Sequence, residues 1–170
     1  AITWGYVPLV KWLLTVGADP SRGDLQETPL YSASKNGYVE VVEILLKNPN
    51  VIKQINKVYE PRNITPLKAA LTEGHEKIAI MLLEEGADPT IANKEGATPL
   101  YSASKNGCTK VVKILLKNEK VKALIDKVYA PENTTPLNAA LTEGHEKIAI
   151  MLLEEGADPT IANKGGVTPL

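Results

Sequence analysis

From Thr65 to Gly86 the apolar residues recur at helical spacing, in two runs separated by a glycine. Leu67, Ala70 and Leu71 fall at i, i+3 and i+4 and make one stripe. Thr65 suits the N-cap before them, because its hydroxyl can accept from a free amide of the first turn. Pro66 suits the first helical position, where no N–H is needed. Gly74 stands where a left-handed residue closes a helix. This short helix A leads into a helix B over about His75 to Glu85, ended by Gly86. Its Ile78, Ala79, Met81, Leu82 and Leu83 form a band too wide for a helix lying on a surface, so more than one side must be covered. One helix pair cannot bury that band, whereas neighbours stacked on each face can, which is the logic of a solenoid.

The pattern recurs. Thr-Pro-Leu begins at Thr28, Thr65, Thr98, Thr135 and Thr168, with spacings alternating between 37 and 33 residues. Residues 28–97 and 98–167 agree at 54 of 70 positions, so the unit is a tandemly duplicated double repeat. The chain reads as a single repeat domain over 1–170. Full repeats occupy 28–64, 65–97, 98–134 and 135–167, with a partial repeat at 1–27 and the start of another at 168–170. In the partial repeat, Gly5 to Leu14 align with Gly37 to Leu46, which puts Pro8 in the first turn of a helix B, where it is tolerated. Residues 87–97, rich in turn formers, read as an extended finger leading to the next Thr-Pro-Leu.

Gly96-Ala97-Thr98-Pro99-Leu100, the small pair Ala69-Ala70, Gly74-His75, Leu82-Leu83 and Gly86-Ala87-Asp88 together resemble the ankyrin repeat pattern. The resemblance implies an all-α repeat solenoid of antiparallel helix-turn-helix pairs joined by β-hairpin fingers. Its concave face, made of fingers and A helices, would bind proteins. The chain departs from the family after Thr-Pro-Leu, where a His is usual and Tyr31, Lys68, Tyr101 and Asn138 stand instead. The 37-residue units also lack Gly-Ala-Asp after helix B. With Ile55 taken as the counterpart of Ile91, one added residue precedes it and three follow, so the finger is lengthened. Residues 59–63 and their copy 129–133 are therefore expected to stand out beyond their neighbours.

Composition narrows the functional classes. The chain has 170 residues, 44% hydrophobic and 23% charged, with no Phe, so the core must come from Leu, Ile, Val and Ala. A net charge of -1 gives no global reason to expect nucleic acid or an anionic membrane as partner. The lone Cys108 cannot form an internal disulfide, no apolar run approaches membrane-spanning length, and the N-terminus lacks a signal-peptide pattern. An intracellular, cytoplasmic protein is expected, or one in the host cytosol if it is a microbial effector. No metal-ligand spacing or glycine-rich phosphate loop occurs, and His75 and His145 each follow a helix-ending Gly. Neither catalysis nor a cofactor is expected. Asn63-Ile64-Thr65 and Asn133-Thr134-Thr135 match the glycosylation acceptor only formally.

The two copies also show where change is tolerated. Of their 16 differences, nine lie between positions 49 and 64 and their counterparts, including Glu60/Ala130, Arg62/Glu132 and Ile64/Thr134, while the apolar stripes are unchanged. Variable fingers fit either partner-specific tips or drift on exposed loops. Charge alternates too: 28–64 carry +2, 65–97 carry -3, 98–134 carry +4 and 135–167 carry -3. Lys110, Lys113, Lys117 and Lys120 around one helix B form either a basic strip for an acidic partner or a solvated face.

These observations point to binding of another protein. The candidate contact residues are Tyr59, Arg62, Tyr129 and Glu132 on the long fingers, Lys94, Glu95 and Ala97 on a short one, and Lys35, Asn36, Thr72, Lys105, Asn106 and Thr142 at the ends of A helices. Changing Tyr59 and Tyr129 to Ala is expected to leave stability within about 1 kcal/mol. Two alternatives are a targeting segment of a larger enzyme or effector, and a structural array. Neither end carries a polar cap, so self-association could run head to tail.

Overall fold

A computed structural model of the chain describes residues 7–21 and 27–169. Two compact units, Ala1–Asp88 and Pro89–Leu170, divide it. The first holds α1 (Val7–Thr15), α2 (Pro29–Lys35), α3 (Val39–Leu45), α4 (Pro49–Ile52), α5 (Pro66–Thr72) and α6 (Glu76–Glu84). The second holds α7 (Pro99–Lys105), α8 (Thr109–Leu115), α9 (Glu119–Lys122), α10 (Pro136–Thr142) and α11 (Glu146–Glu154).

The A helices begin as their sequence dictates. The hydroxyls of Thr28, Thr65, Thr98 and Thr135 accept from the amides of Tyr31, Lys68, Tyr101 and Asn138 at 3.1–3.3 Å, each with Pro at the first helical position. Gly74 and Gly86 end α5 and α6 at φ of 74° and 88°, a conformation an L side chain rarely adopts. Pro8 sits in the first turn of α1. The expected close of a helix A and most of the finger within residues 1–27 lie outside the described residues.

In the first unit α2 packs on α3 and α5, α5 on α6, α3 on α6 and α1 on α3. Leu67, Leu71, Ile78, Ala79 and Leu82 are wholly buried there. In the second unit α7 packs on α8 and α10, α10 on α11 and α8 on α11, around Leu100, Val111, Val112, Leu137 and Leu152. The fold is the all-α repeat class. Met81 and Leu83 are only half-buried, so the covered band of helix B is narrower than its apolar composition suggests.

Two details differ from the sequence reading. Part of each long insert is a helical turn, α4 or α9, capped by Asn48 and Asn118, whose side-chain oxygens accept from the amides of Asn50 and Asn118's neighbour Lys120 at 2.9 Å. The fingers contain no regular strand among the described residues. The long ones close on a single antiparallel bridge each, Tyr59 with Ile64 and Tyr129 with Thr134.

Candidate functional site

The long fingers are four-residue loops. Tyr59 and Ile64 exchange backbone hydrogen bonds of 3.0 Å, enclosing Glu60, Pro61, Arg62 and Asn63. Asn63 has φ of 58° and Asn133 of 50°, and Asn is among the few non-glycine residues that accept the left-handed region readily. Both are therefore retained between the copies while their neighbours at 60 and 62 change.

The closure turns Tyr59 inward, which corrects its placement at an exposed tip. Its ring lies 4.2 Å from that of Tyr31, packed with Ala69 and Ile64, and its hydroxyl donates to Thr28 Oγ1 at 2.5 Å. Only 7% of Tyr59 is exposed. Tyr129 repeats the arrangement less deeply, half-buried at 5.0 Å from the Tyr101 ring and packed on Ala97 and Ala139. Ala97 is 3% exposed, so it too supports the surface from beneath. Burial raises the pKa of Tyr31, Tyr59 and Tyr101 above the usual 10.0. The Thr28 hydrogen bond offsets part of the rise at Tyr59, and the nearby Glu132 carboxylate adds to it at Tyr101.

In the first unit the finger and A-helix ends enclose a cleft of about 320 Å³. It joins Tyr59, Arg62, Lys35 and Thr72, four of the residues singled out from sequence. Its floor is Tyr31, Tyr59 and Ala69, and its charged rim adds Glu27, Glu60 and Glu73, which sequence reasoning missed. The rim is knitted: Lys35 Nζ lies 3.6 Å from Glu27 and 5.8 Å from the centroid of the Tyr31 ring. The Thr72 hydroxyl donates to the Lys68 carbonyl at 2.9 Å. The Asn36 amide is committed to helix capping, donating to the Ser32 carbonyl at 2.8 Å.

In the second unit Lys105, Asn106 and Thr142 are exposed at the A-helix ends, with the Asn106 amide donating to the Ser102 carbonyl. Fingers there are tied to one another. Ala130 N donates to the Glu95 carbonyl at 2.9 Å, and Lys164 N donates to the Glu132 carbonyl at 2.8 Å. Lys94 and Glu132 are exposed and Glu95 is half-buried, its carboxylate accepting from the Asn93 amide at 3.1 Å. Asn138, standing where the family carries His, donates to the Ile161 carbonyl at 2.9 Å and so supplies a hydrogen bond to the finger. At the corresponding place Tyr31 and Tyr101 supply the aromatic stack instead.

Among the described residues no group of three His, Cys, Asp or Glu could hold a metal ion, and no helix is long and apolar enough to cross a membrane. The surface offers shape, aromatic area and charge.

A family model described as ankyrin repeats matches the chain over residues 1–93, 51–124 and 87–163. The sequence is 31% identical over 167 residues, 96% of the chain, to the ankyrin repeat and KH domain-containing protein mask-1 of Caenorhabditis elegans. It is 30% identical over 161 residues, 92% of the chain, to Rabankyrin-5 of Mus musculus. The chain spans only 6% and 13% of the length of those two relatives. It is also 31% identical over 159 residues to the probable 26S proteasome regulatory subunit p28 of Saccharomyces cerevisiae, covering 92% of the chain and 68% of that protein.

Proposed function

The chain belongs to the ankyrin repeat family, and from that premise we propose that it binds a partner protein through its long fingers and the adjoining ends of its A helices. Repeats of this family are generally protein-interaction modules. One observation carries the finer reading. The tyrosine floor is common to both copies, while part of the rim above it is rewritten: Glu27, Glu60 and Arg62 correspond to Ala97, Ala130 and Glu132, and Lys35 and Glu73 are kept as Lys105 and Glu143. A constant aromatic base with a partly changed charged rim suits recognition of two different segments on one frame, since the buried tyrosines hold the shape of the surface and rim charges set specificity.

The contact set is therefore Lys35, Thr72 and Arg62 over the Tyr31–Tyr59 floor in the first unit. In the second it is Lys94, Glu95, Lys105, Thr142 and Glu132 around Tyr129. Affinity capture with the native chain against a Lys35→Ala, Arg62→Ala, Glu132→Ala variant tests this assignment. Self-association is a second reading, with the exposed apolar side chains Leu9, Trp12 and Ile114 available for contact besides the finger surface. Sedimentation velocity separates it, since a monomer at high concentration contradicts it.

A further inference from the structure

The face opposite in character to the finger surface carries a second feature, also present twice. Between α3 and α6 a cleft of about 230 Å³ is lined by Glu43, Leu46, Lys47, Met81, Glu84 and Glu85. Between α8 and α11 its counterpart has grown to about 490 Å³, within the range of ligand-binding clefts. The apolar floor is unchanged, Leu46 and Met81 in one and Leu116 and Met151 in the other. The charge is not. Glu43 forms an ion pair with Lys77 at 3.6 Å, but its counterpart is Lys113 and the counterpart of Lys77 is Lys147. Like charges thus line the second cleft where an ion pair borders the first.

One further change acts in the same direction. Ile52 becomes Lys122, whose ammonium lies 2.8 Å from Glu155 and 3.5 Å from Glu119, so the carboxylate of Glu155 is compensated. That hydrogen bond to Glu155 also raises the Lys122 pKa. The lining of the second cleft is consequently Lys113, Lys117 and Lys147 around a Met and Leu floor, with Glu154 the remaining carboxylate.

We propose that the α8–α11 cleft is a second docking site, for an acidic amphipathic segment of a partner protein. An apolar side chain of that segment packs on Met151 and Leu116, and its carboxylates face Lys113, Lys117 and Lys147. Charge complementarity selects the occupant. The adaptable Met floor suits an aliphatic anchor, which a polynucleotide lacks, and Glu154 opposes a continuous run of phosphates. The site is separate from the finger surface and does not depend on it.

The only two methionines, Met81 and Met151, lie one in each cleft, so methyl-labelled methionine gives one NMR reporter per site. The probe is a synthetic peptide of about 14 residues with Leu at helical spacing and Glu elsewhere, titrated into the full chain. Met151→Leu assigns the two resonances. The expected result is a saturable shift of Met151 with Met81 unmoved. Lys113→Glu, which restores the pairing found in the first copy and so preserves the fold, should weaken binding about tenfold or more. Glu43→Lys combined with Ile52→Lys, which reproduces both changes of the second copy, should make Met81 respond. The proposal is overturned if neither methyl moves, if both move alike in the native chain, if Lys113→Glu leaves the affinity unchanged, or if single-stranded DNA of similar length shifts Met151 as strongly as the peptide.

Discussion

The imidazole of His75 lies directly against the α-carbon of Gly37, so closely that a Cβ there would stand 2.8 Å from the ring. Its Nε2 is 3.2 Å from the Lys35 carbonyl, which can only accept, so Nε2 carries the proton. His145 repeats the contact with Gly107 and Lys105, Nε2 lying 3.1 Å from the carbonyl. The two histidines are joints between successive repeats within each unit. Each caps the end of the preceding A helix.

Gly37→Ala should therefore cost more than Gly74→Ala. Both glycines have positive φ, 77° and 74°, but a Cβ at Gly74 meets nothing within 4 Å. Left-handed strain alone is worth about 1–2 kcal/mol, so Gly74→Ala should lose that much and Gly37→Ala about 1–2 kcal/mol more by denaturant unfolding. Adding His75→Ala to Gly37→Ala should remove the excess. Equal losses at the two glycines would mean the ring gives way freely.

Tyr59 is part of the scaffold, buried and hydrogen-bonded to Thr28, so Tyr59→Ala should cost more than the roughly 1 kcal/mol expected for an exposed fingertip. Loss of the buried ring should cost about 3 kcal/mol, whereas Tyr59→Phe, which forfeits only the hydroxyl bond to Thr28, should cost about 1 kcal/mol. Chemical denaturation of the two variants checks the ratio.

Stability should fall as the solution becomes alkaline. Tyr31, Tyr59 and Tyr101 have folded-state pKa values above 10.0, so the unfolded chain loses these protons first. Their contribution is complete below about pH 10 and is lost as pH rises through the folded values. Melting temperatures between about pH 8 and 11 should show the decline, and a Tyr59→Phe, Tyr101→Phe variant should flatten it.

Ser34 and Ser104 are fully buried on A helices, and their hydroxyls make no hydrogen bond. Ala at either place removes an unpaired polar group and favours the helix. A gain of about 0.5–1 kcal/mol is expected by thermal melting, and a loss would show that the hydroxyls are paired.

Local rules made the repeats legible. A Thr cap followed by Pro, an i, i+3, i+4 stripe and a closing Gly act over a few residues, and each recurs where the sequence places it. The one-turn helix α4 carried the same signature in Asn48-Pro49, but α9 replaces that Pro with Glu119, and four residues are too short for a periodic stripe. The direction of Tyr59 depends on Tyr31 and Thr28, some thirty positions earlier. A faint signal existed nonetheless: Tyr59 and Asn63 are identical in both copies while Glu60 and Arg62, between them, change. Residues held constant inside a variable loop are those that hold its shape.

The most direct test of the binding surface is quantitative affinity capture from a lysate of the organism that makes the protein. The native chain is compared with the Lys35→Ala, Arg62→Ala, Glu132→Ala variant, whose exposed substitutions should leave melting unchanged to within about 0.5 kcal/mol each. At least one protein should be enriched by the native chain and reduced about tenfold or more by the variant. Identical sets of captured proteins at identical yields would contradict the assignment.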